Sequence, residues 1–314
     1  MDHSGHGMDL LPFTLGRGLG WSADPFFLVG CLVALGLYGW GVARLVRRGD
    51  KWPVGRTVAF VLGVLLVLLV TCTGLNDYGM VMFSVHMVQH MVISMLAPIL
   101  LLLGAPITLA LRALPVAGKG RNGPREVLLM LLHSRYLRIV THPAFTIPLF
   151  IASLYALYFT PLFDFLMGST PGHIAMMVHF LAVGLVFFWP IVGVDPGPHR
   201  PGYLMRMLEL FAGMPFHAFF GIALMMASEP MVETYRNPPS SLGIDALADQ
   251  NAAGGIAWAF SEIPSVLVLI ALLYQWYGSE QRQAKRADRA ADRDGDKELE
   301  AYNAYLASLN ARGH

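Results

Sequence analysis

Seven runs of mostly apolar residues recur along the chain, near positions 26–45, 57–75, 80–103, 145–163, 172–193, 204–227 and 253–277. A helix needs about 20 such residues to cross a ~30 Å hydrocarbon core. The pattern predicts an all-α polytopic membrane protein with seven transmembrane helices. The third run continues through Pro106 towards Leu111, with a kink expected at Pro98. All but Arg17 and Arg236 of the 22 Lys and Arg residues fall in segments 44–56, 112–142, 194–206 and the tail from 278. Basic residues gather on the cytoplasmic side, so the N-terminus is expected outside and the C-terminus in the cytoplasm. The stretch EVLLMLLHSRYLRIV, 126–140, is too short to span and mixes leucines with Arg135, Arg138 and His133. It reads as a helix lying in the interface. The tail from Glu280 mixes acids and bases, and Leu299, Tyr302, Leu306 and Leu309 recur in it at helical spacing. The expected division is an extracytoplasmic segment 1–25, a membrane domain 26–278 and a charged cytoplasmic tail 279–314.

Composition agrees with the pattern. Hydrophobic residues make up 55% of the 314 and charged residues 14%, against about a quarter charged in a soluble domain. A net charge of +1 gives no reason to expect nucleic-acid binding. Two cysteines exclude a disulfide scaffold. No secretory signal is expected, because no basic region precedes the first apolar run near Phe26.

The polar groups inside these runs carry the chemistry. Ionisable side chains are costly in hydrocarbon and are functional candidates by default. The stretch FSVHMVQHMVISM places His86 and His90 four apart, hence on one helix face. Counted at ~1.5 Å per residue, they sit roughly 9 and 15 Å below the outer end. By the same count His179 on the fifth run, His217 on the sixth and Glu262 on the seventh reach similar depths, with His173 at the mouth of the fifth. Met87, Met91, Met176 and Met214 lie beside these histidines. Imidazole suits Cu, Zn, Fe and Ni, and added thioethers favour Cu(I). The opening residues MDHSGHGMDL offer His3, His6, Met1 and Met8 for metal capture. Cys31 and Cys72 lie in the outer parts of the first two runs, where they could bind Cu(I) or close a disulfide. Each feature has a plainer reading. A membrane histidine can hydrogen-bond a neighbouring helix, and Met and Cys are common core fillers.

The stretches HMVQHMVISMLAPILLLLGAPITL, HFLAVGLVFFWPIVGVDPGP and MPFHAFFGIALM resemble the CtaG-type cytochrome c oxidase assembly factors, over residues 20 to 278. The resemblance implies a seven-helix protein of the bacterial plasma membrane that helps to mature a haem–copper oxidase subunit of the respiratory chain. It implies copper handling, with His86, His90, His179 and His217 at the family's histidine positions. On this reading the chain is a copper chaperone rather than an enzyme. Copper is captured by the N-terminal segment, held at the intramembrane site and passed on by ligand exchange, with Glu262 balancing charge. Two rivals stay open: a haem protein with bis-histidine ligation, and a transporter of metal ions or protons.

Overall fold

The computed structural model of the chain describes residues 10–118, 122–198, 201–294 and 297–312. The N-terminal His3, His6, Met1 and Met8 lie outside the described residues. Apart from one antiparallel bridge between Trp21 and Thr73, the described residues are helical or irregular, with no strand. The chain forms two compact units, Met1–Leu267 and Val268–His314.

After a short helical turn at Leu15–Gly18, the first unit continues with α1 (Pro25–Arg47) and α2 (Val54–Thr71). Asp24 starts α1: its Oδ1 accepts the backbone N–H groups of Phe26 and Phe27 at 2.8 and 3.2 Å. Pro25 follows at a position where no N–H is needed. Arg44 and Arg47 close the last turn, where cations complement the helix dipole. The third apolar run is divided. α3 (Phe83–Met91) passes through a π-helical turn, Val92–Leu96, into α4 (Ala97–Leu103), and α5 (Pro106–Ala113) follows.

The expected irregularity near Pro98 is therefore present, as a π-turn just before it. Pro98 has no N–H to donate, and its ring crowds the carbonyl four residues back. One extra residue in the turn relieves that crowding, as π-bulges do. The break before α5 falls at Ala105, which is fully buried and left-handed at φ 51°.

Next come α6 (Pro124–Leu132) and α7 (Arg135–Val140). The single interfacial helix expected over 126–140 is thus two. His133 ends the first, and the Ser134 hydroxyl caps the second by accepting from Leu137 N–H at 3.1 Å. Then follow α8 (Pro143–Tyr158), α9 (Leu162–Met167), α10 (Thr170–Val192) and α11 (Tyr203–Met226). α10 ends at Gly193, whose φ of 63° suits glycine.

Among the described residues, six helical runs are long and apolar enough to cross a membrane. The expectation of seven meets a shorter helix at its fourth place. α8 has 16 residues, about 24 Å of helix, and the turn at Thr160 separates it from α9. α12 (Ala246–Asp294) runs from the first unit into the second. α13 (Lys297–Arg312) follows, with Leu299, Tyr302, Leu306 and Leu309 all exposed.

Carboxylates from distant segments cap helices that lack their own caps. Asp249 accepts the N–H of Phe83 at 2.6 Å and of Ser84 at 3.2 Å, and also the Ser84 hydroxyl. This pins the start of α3 to α12. Asp195, 3% exposed, does the same for α5: it accepts Ile107 N–H at 3.1 Å, Thr108 N–H at 2.7 Å and the Thr108 hydroxyl at 2.6 Å. Asp195→Ala should cost about 2 kcal/mol, at the upper end for a lost cap. It would read as a fall in the thermal midpoint in detergent, which Asp195→Asn should partly restore.

Candidate functional site

The interior between α3, α8, α10 and α11 holds the buried histidines. His86, on α3, is fully buried; its Nε2 lies 2.9 Å from the Tyr158 hydroxyl of α8. The Phe163 ring meets it edge-on at 5.0 Å between centroids. Its Nδ1 has no partner. Whichever group donates in the His86–Tyr158 bond, one proton of the pair is left without an acceptor. His173 of α10 lies within electrostatic range of His86. It is 4% exposed, and its Nε2 is also unpartnered.

One turn further along α3, His90 is packed edge-on by Phe180 at 4.1 Å. It faces His217 of α11, with ring centroids 6.4 Å apart. Both are 3% exposed. His90 Nδ1 and His217 Nε2 have no hydrogen-bond partner. The two rings line a cavity of about 10 Å³ with Ser94, Phe150, Ser153 and Phe180 among its other walls. That is room for about one water-sized body. The Gly213 carbonyl lies beside the His217 ring, and Phe150 flanks it at 5.0 Å.

The remaining expected residues are placed differently. His179 points away from this cavity. It is exposed, and its Nε2 lies 2.9 Å from Ser153 Oγ. With Met176 it lines an apolar groove of 390 Å³ between α8 and α10. Ser153 belongs to both walls, so the inner cavity and the groove adjoin at its side chain. Met87, Met91 and Met176 are buried and Met214 is half-buried, but no methionine lines the inner cavity.

Glu262 is half-buried, lines neither space and has no hydrogen bond among the described residues. Cys31 and Cys72 are buried free thiols within electrostatic range of each other. Among the described residues no three His, Cys, Asp or Glu side chains gather closely enough to hold a metal ion. The expected single cluster of four histidines and Glu262 is instead a His90/His217 pair, a His86–Tyr158 pair beside His173, and an outlying His179.

Sequence reasoning missed Ser153, Tyr158 and Tyr235 around these histidines, while the acid Glu209 was legible as an intramembrane group. Ser153 and Tyr158 lie in an apolar run where hydroxyls are common, and nothing in their spacing sets them apart. Tyr235, whose hydroxyl donates to the Gly79 carbonyl at 2.8 Å and whose ring stacks on Phe83, comes from a loop. Glu209, the intramembrane acid of α11, accepts from the Thr146 hydroxyl at 2.7 Å, and its Oε2 is buried and unpartnered.

Six long apolar helical runs among the described residues define a multi-pass membrane protein. The signature of the cytochrome c oxidase caa3 assembly factors matches residues 36–279, and the chain belongs to that family. It is similar to the uncharacterised proteins Mb0105 of Mycobacterium bovis and MT0111 of Mycobacterium tuberculosis. Each is 48% identical over 304 residues, covering 95% of this chain and 46% of the relative. The uncharacterised protein ML1998 of Mycobacterium leprae is 49% identical over 284 residues, 88% of this chain and 43% of its own length. The chain thus spans about half the length of these relatives. No solved structure matches it.

Proposed function

We propose that this chain serves haem–copper oxidase assembly by holding Cu(I) between His90 and His217 and passing it to an oxidase subunit. One observation carries the reading: two buried imidazoles, each with an unpartnered nitrogen, flank a small space of about 10 Å³. Buried polar groups without partners call for an explanation. The spacing supports it. A metal–imidazole bond of about 2.0 Å, plus about 1.1 Å from nitrogen to ring centre, puts two rings about 6.2 Å apart across a linear N–metal–N unit. The ring centroids here are 6.4 Å apart. Cu(I) accepts two ligands, and imidazole is among its ligands. A two-ligand hold leaves positions open to an incoming ligand, so cargo moves by exchange. No substrate bond is made or broken, and on this reading the chain is not an enzyme.

On the orientation expected from the basic residues, these histidines belong to the outer half of a bacterial plasma membrane. Ser153 and His179 then form the way out, into the groove between α8 and α10, where a partner helix would dock. A porphyrin does not fit a 10 Å³ space, which disfavours haem at this pair.

The test is metal content, with an absorption spectrum, on detergent-purified protein loaded with Cu(I) and washed with a weak chelator. About one copper per chain, lost in His90→Ala, supports the reading. Equal copper in both proteins, or a Soret band, overturns it, and water then fills the space. His179→Ala separates the steps: copper binding should stay within about twofold while delivery falls about tenfold, the low end of what residues beyond a metal's direct ligands contribute to activity. Transfer to a purified oxidase copper domain would measure it.

A further inference from the structure

At the opposite end of the bundle from His86, where α5 ends, the chain carries a second feature that copper handling does not use. An open pocket of 500 Å³ is lined by Arg48, Arg112, Arg125 and Asp50. Two of these arginines are anchored to the C-terminal end of α5. Arg48 Nη1 donates to the Arg112 carbonyl at 3.2 Å, and Arg125 Nε donates to the Leu111 carbonyl at 3.1 Å. Arg112 lies over the Trp52 ring at 5.8 Å and is 3.8 Å from Asp50, a loose pair with both side chains well exposed.

Three guanidinium groups against one carboxylate leave the pocket positive. The other acid nearby, Glu126, is turned to its own loop. It accepts the N–H groups of Ala117 at 3.0 Å and Gly123 at 3.2 Å. Those bonds, Ala117's above all, hold its carboxyl below the ordinary value.

The pocket adjoins an apolar cleft. Between α1 and α5 lies a space of 340 Å³ walled by Leu37, Trp40, Gly41, Leu109 and Ala113 among others. Leu114 lines both spaces. The cleft's outer wall faces away from the protein: Leu37 is 66% and Trp40 48% exposed. An apolar channel that opens at one end on an arginine cluster matches a molecule with a hydrocarbon chain and an anionic head. Guanidinium groups recognise phosphate oxygens, and basic pockets between membrane helices take phospholipid headgroups.

We infer that the chain binds one anionic phospholipid, with its phosphate among Arg48, Arg112 and Arg125 and an acyl chain in the cleft between α1 and α5. The apolar cleft selects a lipid over free phosphate, and the arginines select an anionic lipid over a zwitterionic one. The site is independent of the copper pair, and its failure would leave that reading untouched.

The experiment is native mass spectrometry of the full chain released from nanodiscs of equal parts phosphatidylglycerol and phosphatidylcholine. The wild type should retain one phosphatidylglycerol about tenfold or more in preference to phosphatidylcholine. Arg48→Gln/Arg112→Gln/Arg125→Gln should lose that preference, since each near-surface Arg contributes on the order of fivefold. Ala110→Trp fills the cleft and keeps the arginines, and it should release both lipids. It also serves as the second variant if the triple substitution does not fold. Retention without headgroup preference, or a preference unchanged in both variants, overturns the proposal. So does displacement of the lipid by millimolar inorganic phosphate, which would mark a free-phosphate site.

Discussion

Cells whose only copy of this chain carries His90→Ala/His217→Ala should lose copper-dependent oxidase activity, and with the ring-preserving His90→Phe/His217→Phe the same loss should come with normal protein levels. The purified variant should bind Cu(I) at least about 100-fold more weakly, a loss of about 2.8 kcal/mol. The physical argument separates a ligand pair from a structural one. Removing one partner of a satisfied buried hydrogen bond strands the other and costs about 1–3 kcal/mol. Here His90 Nδ1 and His217 Nε2 bond nothing, so no hydrogen bond at those atoms is lost. What is lost is the His217 ring's bond to the Gly213 carbonyl and packing against Phe180 and Phe150. His90→Phe/His217→Phe, which restores ring contacts, should therefore stay within about 1.5 kcal/mol of the wild type and be equally unable to bind copper. His217→Met keeps a soft ligand and should recover part of the affinity. Thermal unfolding in detergent beside copper titration would show the split.

Gly184→Ala should be the most damaging single-methyl addition in the bundle, at about 3 kcal/mol, the upper range for overpacking. α10 crosses the third run where the π-turn meets Pro98. A Cβ on Gly184 would lie 2.7 Å from the Pro98 ring and against the Ser94 carbonyl. Small residues allow such close backbone approach in membranes. Neither neighbour is a flexible side-chain end that can swing aside. The strain should also reach the copper pair, because Ser94 and Val183 line its cavity. The Ser94 hydroxyl also donates to the His90 carbonyl at 2.7 Å. Gly30→Ala is the control: a Cβ there meets nothing within 4 Å, and stability should hold or rise slightly. Unfolding midpoints of the two variants, with copper affinity of any folded Gly184→Ala, test the account.

The sequence patterning reached some of these features and not others. Helix positions followed from apolar length, because a membrane demands internally bonded helices. The proline at 98 pointed to an irregular third run, although a π-turn rather than a plain bend is what relieves it. The short α8 and its break at Thr160 escaped the pattern, since Tyr158, Phe159, Pro161 and Leu162 read as one apolar stretch. At the site, the i, i+4 rule put His86 and His90 on one face, and that holds. Depth counting grouped His179 with His217 because it measures height and not direction around a helix. His179 turns outward to Ser153 while Phe180, the next residue, packs on His90. The methionines beside each histidine suggested thioether ligands, yet Met87 and Met91 lie about 100° round the helix from His86 and His90. The long-range caps Asp249 and Asp195 were invisible, because a carboxylate in the first turn of one helix or in a loop gives no sign of the other helix it will meet.

The most direct measurement is X-ray absorption at the copper edge on the Cu(I)-loaded, chelator-washed protein. The account predicts two nitrogen ligands from imidazoles, in a low-coordinate Cu(I) centre, and loss of that signal in His90→Ala/His217→Ala. A shell dominated by sulfur, or an unchanged nitrogen shell in the double variant, would contradict it.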